Sequence, residues 1–285
     1  MPRGGAWALL SHMGAPKLTP QLAAIFANLV EEVSGLHYGQ RNSELLGEKI
    51  AARAEEAGYE ALLDYYYRLR YDDPSGVETR ALIDALLVHE TYFFRELAPL
   101  QQLVDGHLAE VVRANGRASV WSAACSTGEE PMTLAMLLDE RGLLDRVEII
   151  ASDLSESAID RARSGRHGRR ALRDGHPAAL AQRYLTVDEH GVTACPRIRN
   201  AVSFRTSNLL DPASPQEQGK FDLILCRNVL IYFGDAVIAR VLDRLAGALA
   251  PGGVIAVGVS ESLLRFGSLL ACEERGGWFF YRKAR

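Results

Sequence analysis

Short apolar segments alternate with amphipathic segments from residue 118 onward, and this alternation limits the possible folds more than any other feature. The segments ASVWSAA, RVEIIASD, VSFRTSN, FDLILCRN and GGVIAVGV have the length and composition of strands. The segments between them, such as EEPMTLAMLLDERGL and DAVIARVLDRLAGAL, have helical spacing. The pattern predicts a mostly parallel sheet with helices on both faces and a ligand site at the carboxyl ends of its strands. The last segment, WFFYRK, is predicted to be an antiparallel edge strand.

Two other regions differ from this alternating part. Residues 17–96 have helical spacing, with Thr19 as a candidate N-cap and Pro20 at the first helical position, and no convincing strand precedes residue 118. A basic, turn-rich segment interrupts the alternation, and residues 161–206 contain ten arginines and three acidic residues. We therefore expect three parts: a helical domain at 17–96, an α/β domain at 97–285, and an insertion in it at 165–206.

Composition excludes several classes of function. The net charge of −4 argues against general nucleic-acid binding, and no apolar run approaches the roughly 20 residues of a membrane span. The four cysteines are far apart and form no CxxC pair, so zinc and redox motifs are not indicated. Unpaired thiols favour a reducing, cytoplasmic location. The first twelve residues are predicted to be a disordered leader.

The stretch WSAACSTGEEP is a candidate strand-to-helix turn, with Gly128 at the bend. A dinucleotide site would offer bare backbone N–H groups to phosphate, whereas Glu129 and Glu130 would repel phosphate and attract an ammonium or sulfonium group. S-adenosylmethionine (SAM) carries both of these cations and no phosphate. The alternative is that the two glutamates only complement the helix dipole.

Polar residues at the ends of two further strands are consistent with a nucleoside. Asp153 ends VEIIASD, where an acid commonly holds ribose hydroxyls. The alternative is a helix N-cap, since SDLSES would cap well, but the joint pattern favours ribose. Asn208 follows another strand, where its amide could read adenine.

Charged residues also stand among apolar ones at two places. Arg227 and Asn228 end the apolar strand FDLILCRN, and Tyr232 follows. A charge there is costly unless it faces a cleft or a partner, and the alternative is a structural ion pair. Arg95 closes the aromatic cluster HETYFFRE, whose rings are core candidates, and it points to a site.

Together ETYFFRE, WSAACSTGEEP, ASDLSESAIDRARSG, FDLILCRNVLIYF and LAPGGVIAVGVSES resemble the CheR family of SAM-dependent chemoreceptor glutamate methyltransferases, in the right order over roughly residues 20–283. The resemblance implies a Rossmann-like SAM-dependent methyltransferase domain of the α/β class. It also implies an N-terminal all-helical domain and a small inserted antiparallel β-subdomain. The implied reaction converts a glutamate carboxylate of a receptor's cytoplasmic helical bundle into a methyl ester, with S-adenosyl-L-homocysteine as the second product and no metal.

The resemblance also implies roles for individual residues. Glu130, or else Glu129, matches the acid that holds the SAM amino group, and Asp153 matches the ribose acid. Arg95, Arg227 and Tyr232 match residues that face the methyl-transfer region and are the candidate catalytic residues. Arg95 and Arg227 are also candidate cofactor contacts. The remaining candidate cofactor contacts are His89, Thr91, Asn208, Leu209 and Asn228.

The chain departs from the family pattern in several places. His89 stands where the family usually has Asn, and Val259 stands where many members have His. Residues 17–96 contain eight Lys or Arg and fourteen Asp or Glu, so this part would repel an acidic receptor. The stretch QRYLTVDEHGVTACPRIRNAVSF is short compared with members that bind a receptor C-terminal pentapeptide, which favours a tether-independent enzyme. Two alternatives stay open: a methyltransferase of the same fold with another protein or small-molecule acceptor, and a non-enzymatic SAM-binding signalling module.

Overall fold

The computed structural model describes residues 19–39, 42–211, 220–266 and 270–283, so the predicted leader lies outside the described residues. The chain divides into two compact units, the first ending at Leu87 and the second beginning at Val88. Within the described residues no helix is both long and apolar enough to cross a membrane.

The described part of the first unit contains four helices. Thr19 caps the first of them, because its Oγ1 accepts a hydrogen bond from the Leu22 N–H at 3.3 Å, and Gly35 ends it in the left-handed conformation. Buried apolar side chains from all four helices form the core, among them Phe26, Ile50 and Leu82. The helices are α1 (Pro20–Ser34), α2 (Ser43–Glu56), α3 (Leu62–Tyr71) and α4 (Val77–Leu86).

The second unit begins with a loop and a helical segment and continues as an α/β domain. Its helices are α5 (Leu97–Gln102), α6 (Ala109–Asn115), α7 (Glu129–Glu140), α8 (Glu156–Ser164), α9 (Ala178–Tyr184), α10 (Pro196–Arg199) and α11 (Asp235–Ala248). Its strands are β1 (Ala118–Ala123), β2 (Val147–Asp153), β3 (Arg166–His167), β4 (Leu185–Asp188), β5 (Gly191–Ala194), β6 (Val202–Thr206), β7 (Phe221–Leu225), β8 (Leu249–Ala256), β9 (Leu270–Arg275) and β10 (Trp278–Lys283).

The main sheet of the described chain has seven strands in the order β6-β2-β1-β7-β8-β10-β9. The first five are parallel, and β10 and β9 are antiparallel. Side chains on the two faces of the sheet belong to two separate apolar clusters: Val120 and Leu223 lie in one, and Trp121 and Ile224 in the other. The predicted α/β class and Rossmann-like arrangement are therefore confirmed, since covered parallel strands need apolar residues on both faces.

The edge strand differs from the prediction. β10 lies between β8 and β9, so the outermost strand is β9 and not WFFYRK. Most side chains of β9 are exposed or half-buried, and its sequence LACEER is polar, so it lacks the apolar signal by which the other strands are recognised.

The insertion contains a separate antiparallel sheet in the order β3-β5-β4. Only Glu189 and His190 separate β4 from β5. The range 165–206 expected for the insertion includes β6, but β6 pairs in parallel with β2 in the main sheet, from Ile149 opposite Val202 onward. The strands of the small sheet therefore end at Ala194.

Residues 88–96, expected in the helical domain, belong to the second unit. Phe93 and Phe94 are buried in its core, and the Phe94 N–H donates to Thr133 Oγ1 at 3.0 Å. The helix predicted to run through this segment ends at Leu86, and Phe94 and Glu96 adopt positive φ angles of 65° and 47°. Burial of the two rings thus outweighs local helical propensity.

Candidate functional site

The turn between β1 and α7 lies at the carboxyl edge of the sheet. Cys125 N–H donates to Ser152 O at 2.9 Å, and Gly128 N–H donates to Cys125 O at 3.0 Å. Gly128 has φ +93°, and a Cβ added there would lie 2.8 Å from the Ala162 Cβ. Only glycine fits this close approach of α8 to the turn.

Asp153 ends β2 beside this turn and is almost fully buried. Its Oδ2 accepts the Ser126 N–H at 2.7 Å, and its Oδ1 accepts the Ser155 N–H at 3.0 Å. Burial raises the pKa of Asp153, although these hydrogen bonds and the interaction with His89 act in the opposite direction. The cap of α8 is Ser155, whose hydroxyl accepts the Ala158 N–H, and not Asp153.

The two adjacent glutamates have different surroundings. Glu129 is buried, with Oε1 2.9 Å from His167 Nδ1 and Oε2 accepting the Thr127 hydroxyl at 2.7 Å. Glu130 is half-buried, and its Oε1 accepts the hydroxyl of Ser122 on β1 at 2.7 Å. Glu129 therefore connects the turn to β3 of the insertion, and Glu130 is the more accessible acid.

Arg227, directly after β7, lies at the centre of an ionic network. Its Nη1 donates to Glu130 Oε2 at 2.8 Å, and its Nη2 donates to Glu96 Oε2 at 2.9 Å and to the Arg95 carbonyl at 3.1 Å. The Arg227 side chain is only 2% exposed. The predicted alternative of an ion pair is thus present, and it joins two of the segments that the sequence patterns single out.

Glu96 and Glu261 support this network. Glu96 accepts hydrogen bonds from Asn228 Nδ2 and from the Val259 N–H, both at 3.3 Å. Burial disfavours ionisation of Glu96, but the charge and hydrogen bonds of Arg227, aided by Asn228 and Val259, outweigh it, so its pKa is lowered. Glu261 accepts backbone N–H groups of the loop after β7, including Asn228 at 2.6 Å. These bonds support the left-handed conformation of Asn228, φ 59°.

Arg95 and Tyr232 lie on the more open side of the network. Arg95 Nη1 donates to the Glu90 carbonyl at 2.7 Å, and its guanidinium carbon lies 5.7 Å from the Tyr92 ring centre. Burial raises the pKa of Tyr232, the Arg95 charge lowers it, and Glu90 and Glu261 raise it. The hydrogen bond from Arg227 to the Arg95 carbonyl brings the segment 89–96 next to the loop after β7. A phenol whose pKa is raised from 10.0 keeps its proton at neutral pH.

The other predicted residues surround this centre less closely. His89 is exposed and interacts electrostatically with Asp153, and Thr91 is half-buried. Asn208 Oδ1 accepts the Leu210 N–H at 2.9 Å, and Leu209 is buried against the second apolar cluster. The preceding Ser207 N–H donates to the Asp153 carbonyl at 2.8 Å, so the loop after β6 adjoins the end of β2.

Comparison with known proteins decides the family. Residues 89–274 match the family model described as CheR methyltransferase, SAM binding domain. The chain belongs to the CheR methyltransferase family. It is 36% identical over 248 residues to Chemotaxis protein methyltransferase 1 of Pseudomonas aeruginosa, covering 84% of this chain and 89% of that one. It is 34% identical over 247 residues to a chemotaxis protein methyltransferase of Pseudomonas putida, with the same coverage.

A third relative, Chemotaxis protein methyltransferase 2 of Vibrio cholerae, is 32% identical over 249 residues, which are 86% of each chain. Because the matched domain is the SAM-binding domain of this family, the SAM cofactor inferred from the glutamate pair is confirmed. At 84–86% of the chain, these matches extend beyond residues 89–274.

The turn fits SAM and does not fit a phosphate. Asp153 already accepts the Ser126 N–H, and two carboxylates, those of Glu130 and Asp153, face the strand ends where a phosphate would need donors. Ser126 Oγ is buried and has no hydrogen-bond partner among the described residues, so a polar group remains for a ligand. No group of three or more His, Cys, Asp or Glu side chains in the described ranges is arranged to hold a metal ion.

Three residues of the candidate site are not singled out from the sequence. Glu96 and Glu261 lie inside quoted motifs, but their partners are 131 and 33 residues away in the chain, so spacing alone cannot reveal them. His167 lies in the basic insertion, and its contact with Glu129 forms only when β3 packs against α7. The available signal is the acid at or next to the end of ETYFFRE and LAPGGVIAVGVSES, and His167 has no such signal.

Proposed function

We propose that this chain transfers the methyl group of SAM to a glutamate side chain of a chemoreceptor and thereby forms a methyl ester. Three relatives that match 84–86% of the chain are named chemotaxis protein methyltransferases. The structural observation that carries the proposal is the buried Arg227 side chain, which pairs with Glu130 and donates to the Arg95 carbonyl. The two segments that it joins carry Arg95 and Tyr232, both half-buried. A cation and a neutral phenol suit a carboxylate acceptor.

Residues at four strand ends would hold SAM. Glu130 would accept the amino group, because its carboxylate keeps lone pairs free beyond those used by Ser122 and Arg227. Asp153 would accept ribose hydroxyls, and Asn208 with Leu209 would contact adenine. Thr91, His89 and Asn228 complete the proposed cofactor contacts.

SAM supplies a methyl group on a positively charged sulfur when it is bound. A glutamate side chain has a reference pKa of about 4.3 and is already ionised at neutral pH, so no general base is required. The protein's task is to hold a carboxylate oxygen at about 3–3.5 Å from the methyl carbon and in line with the bond that breaks. Arg95 would orient the carboxylate from one side, and the protonated phenol of Tyr232 would donate a hydrogen bond to it.

Arg227 has a different task in this proposal. Its two Nη atoms are occupied by Glu130 and Glu96, and its side chain is almost completely buried. We therefore assign Arg227 to holding Glu130 in position and not to binding the acceptor carboxylate directly. This arrangement leaves Arg95, which is half-buried, as the cation available to the acceptor.

The test is methyl transfer from labelled SAM to bacterial membranes that carry chemoreceptors, followed by mild alkali. A glutamate methyl ester releases its label as volatile methanol, whereas a methylated amine or thioether retains it. Label on a small molecule, or label stable to alkali, would reject the proposal. SAM binding without transfer to any acceptor would favour the non-enzymatic alternative. A chemoreceptor acceptor would also place the activity in the cytoplasm.

A further inference from the structure

The basic insertion has no part in the proposed SAM contacts, although it lies directly beside them. Its short helical turn carries Arg169 and Arg170, and Arg173 follows. We call these three residues the arginine turn. The Phe93 N–H donates to the Ala171 carbonyl at 2.8 Å, so this turn is hydrogen-bonded to the segment that also carries Arg95.

A second contact attaches the arginine turn to the same segment. The guanidinium of Arg173 lies over the Tyr92 ring, 3.8 Å from its centre, and its Nη2 donates to Glu90 Oε1 at 3.0 Å. Arg95 approaches the same ring and donates to the Glu90 carbonyl. Arg173 and Arg95 therefore share one aromatic ring, and positive charge extends outward from the proposed methyl-transfer region.

The charges of this surface are available to a partner. Arg169 and Arg170 are exposed, and neither forms a hydrogen bond or ion pair with any residue that the structure describes. Arg166 on β3 is also exposed, because it alternates with the buried His167. The Arg173–Glu90 pair is half exposed and therefore weak enough to exchange for another carboxylate. Asp174 is the only acid between residues 169 and 187.

The charge of the rest of the chain makes this surface distinctive. The segment 17–96 has eight Lys or Arg and fourteen Asp or Glu, so it does not attract an acidic partner. Residues 161–206 have ten arginines and three acids. A partner rich in carboxylates would therefore be steered toward the insertion.

We propose that the arginine turn binds an acidic segment of the acceptor protein that flanks the glutamate to be methylated. This inference rests on the proposed function, because the flank is defined by the glutamate that enters the site. Binding at Arg169, Arg170 and Arg173 would bring a neighbouring glutamate to Arg95. Specificity for an acidic context would then come from the insertion and not from the helical unit.

The test compares two double variants of the full chain that each remove two positive charges. Arg169→Gln with Arg170→Gln removes two of the three positive charges of the arginine turn. Arg117→Gln with Arg146→Gln is the matched control, since both arginines are exposed and precede β1 and β2 at the opposite edge of the sheet. The probe is a fluorescent helical peptide of about 20 residues, about 30 Å long, rich in Glu, with its Gln counterpart as a blank.

We expect the arginine-turn variant to bind the Glu peptide about fivefold to tenfold more weakly than the wild type, and the control to stay within about twofold. Affinity of the wild type falls as salt rises from about 50 to about 300 mM, because the contacts are exposed. Both variants bind SAM as the wild type does, which verifies folding. Equal peptide affinity in all three proteins overturns the inference.

Two further outcomes are decisive. Single-stranded DNA of equal charge is the competing ligand. If it binds the wild type more tightly than the Glu peptide does, and through the same arginines, the partner is a nucleic acid and the inference is overturned. If the arginine-turn variant forms methyl esters on receptor membranes with unchanged kcat/KM, this inference is also overturned, whereas the proposed function stays intact. Failure to form esters with any acceptor would instead reject the proposed function, whatever the peptide affinity.

Discussion

Arg227 and Glu130 form an ion pair with an N–O distance of 2.8 Å, which connects the end of β7 to the first turn of α7. The same carboxylate accepts the hydroxyl of Ser122 on β1, and the same guanidinium contacts Glu96. These contacts link three segments that are distant in sequence, and they hold the Glu130 carboxylate in position. An acid held this firmly is suited to orient a cofactor ammonium group without rearranging.

Replacement of Arg227 tests whether the network is structural as well as functional. Arg227→Ala leaves Glu96 and Glu130 without their shared cation, so we expect the free energy of unfolding to fall by about 3 kcal/mol. Urea denaturation of the purified protein measures this. Arg197→Ala breaks a pair whose arginine is 52% exposed, and it serves as the control with a loss below about 1 kcal/mol. Equal losses in the two variants would contradict the account.

The pKa of Glu96 predicts a pH dependence of stability. Its pKa in the folded protein is lowered from the ordinary value of 4.5. The stabilisation from its ionised form is therefore fully present above pH 4.5 and is lost as the pH falls through the lowered pKa. We expect wild type to unfold at a higher temperature than Glu96→Gln at pH 7, with the gap closing below pH 4.5. A gap of constant size down to pH 3 would contradict this.

Asp153 is predicted to be a determinant of SAM affinity. Asp153→Ala removes the acceptor proposed for the ribose hydroxyls, and we expect SAM binding to weaken by about 1–3 kcal/mol in calorimetry. Burial raises the pKa of Asp153 above its ordinary value of 3.8. As the pH is lowered, the SAM affinity of the wild type should therefore begin to fall already above pH 3.8. Asp160→Ala, which alters an exposed acid of α8, is the control. Unchanged affinity in Asp153→Ala would remove this residue from the site.

The turn itself is predicted to tolerate only glycine at its bend. Gly128→Ala places a methyl group 2.8 Å from the Ala162 Cβ at a positive φ, so we expect a loss of about 1–3 kcal/mol in stability together with weaker SAM binding. Gly247→Ala is the matched control: it lies within α11 and its new methyl group meets open space. The control should be neutral or more stable by up to about 1 kcal/mol. A fully stable Gly128→Ala would show that α8 does not restrict the turn.

Tyr232→Phe separates methyl transfer from cofactor binding. Loss of the phenol hydroxyl should lower kcat/KM by about threefold to tenfold, the value of one hydrogen bond, and leave the dissociation constant of SAM unchanged. Parallel kinetics and calorimetry on one preparation check both quantities. Equal losses in transfer and in SAM affinity would reassign Tyr232 to holding the cofactor.

The class of fold could be predicted from the sequence because buried parallel strands are apolar on both faces and recur with amphipathic helices between them. Strand β9 could not, since its outward side chains are polar and its position at the sheet edge depends on pairing with β10. Helical spacing is expected up to residue 96, but α4 ends at Leu86, because Phe93 and Phe94 enter the core of the second unit.

The candidate site could be predicted only where chemistry is carried by a local motif. Glu130, Asp153 and Arg227 each end or follow a predicted strand, so parallel topology alone brings them to one edge. The role of Glu96 depends on a left-handed backbone conformation that a glutamate rarely adopts, and on a partner 131 residues away. Neither property has a signature in the sequence.

The most direct test of the central claim is tandem mass spectrometry of a chemoreceptor incubated with the purified protein and SAM. We predict a mass gain of about 14 Da, one methyl group in place of a proton, on glutamate side chains, and its loss after mild alkali. It should be strongly reduced with Asp153→Ala at limiting SAM, because the variant binds SAM more weakly. A methyl group located on lysine, cysteine or a backbone atom, or no modified glutamate in any receptor, would contradict the account.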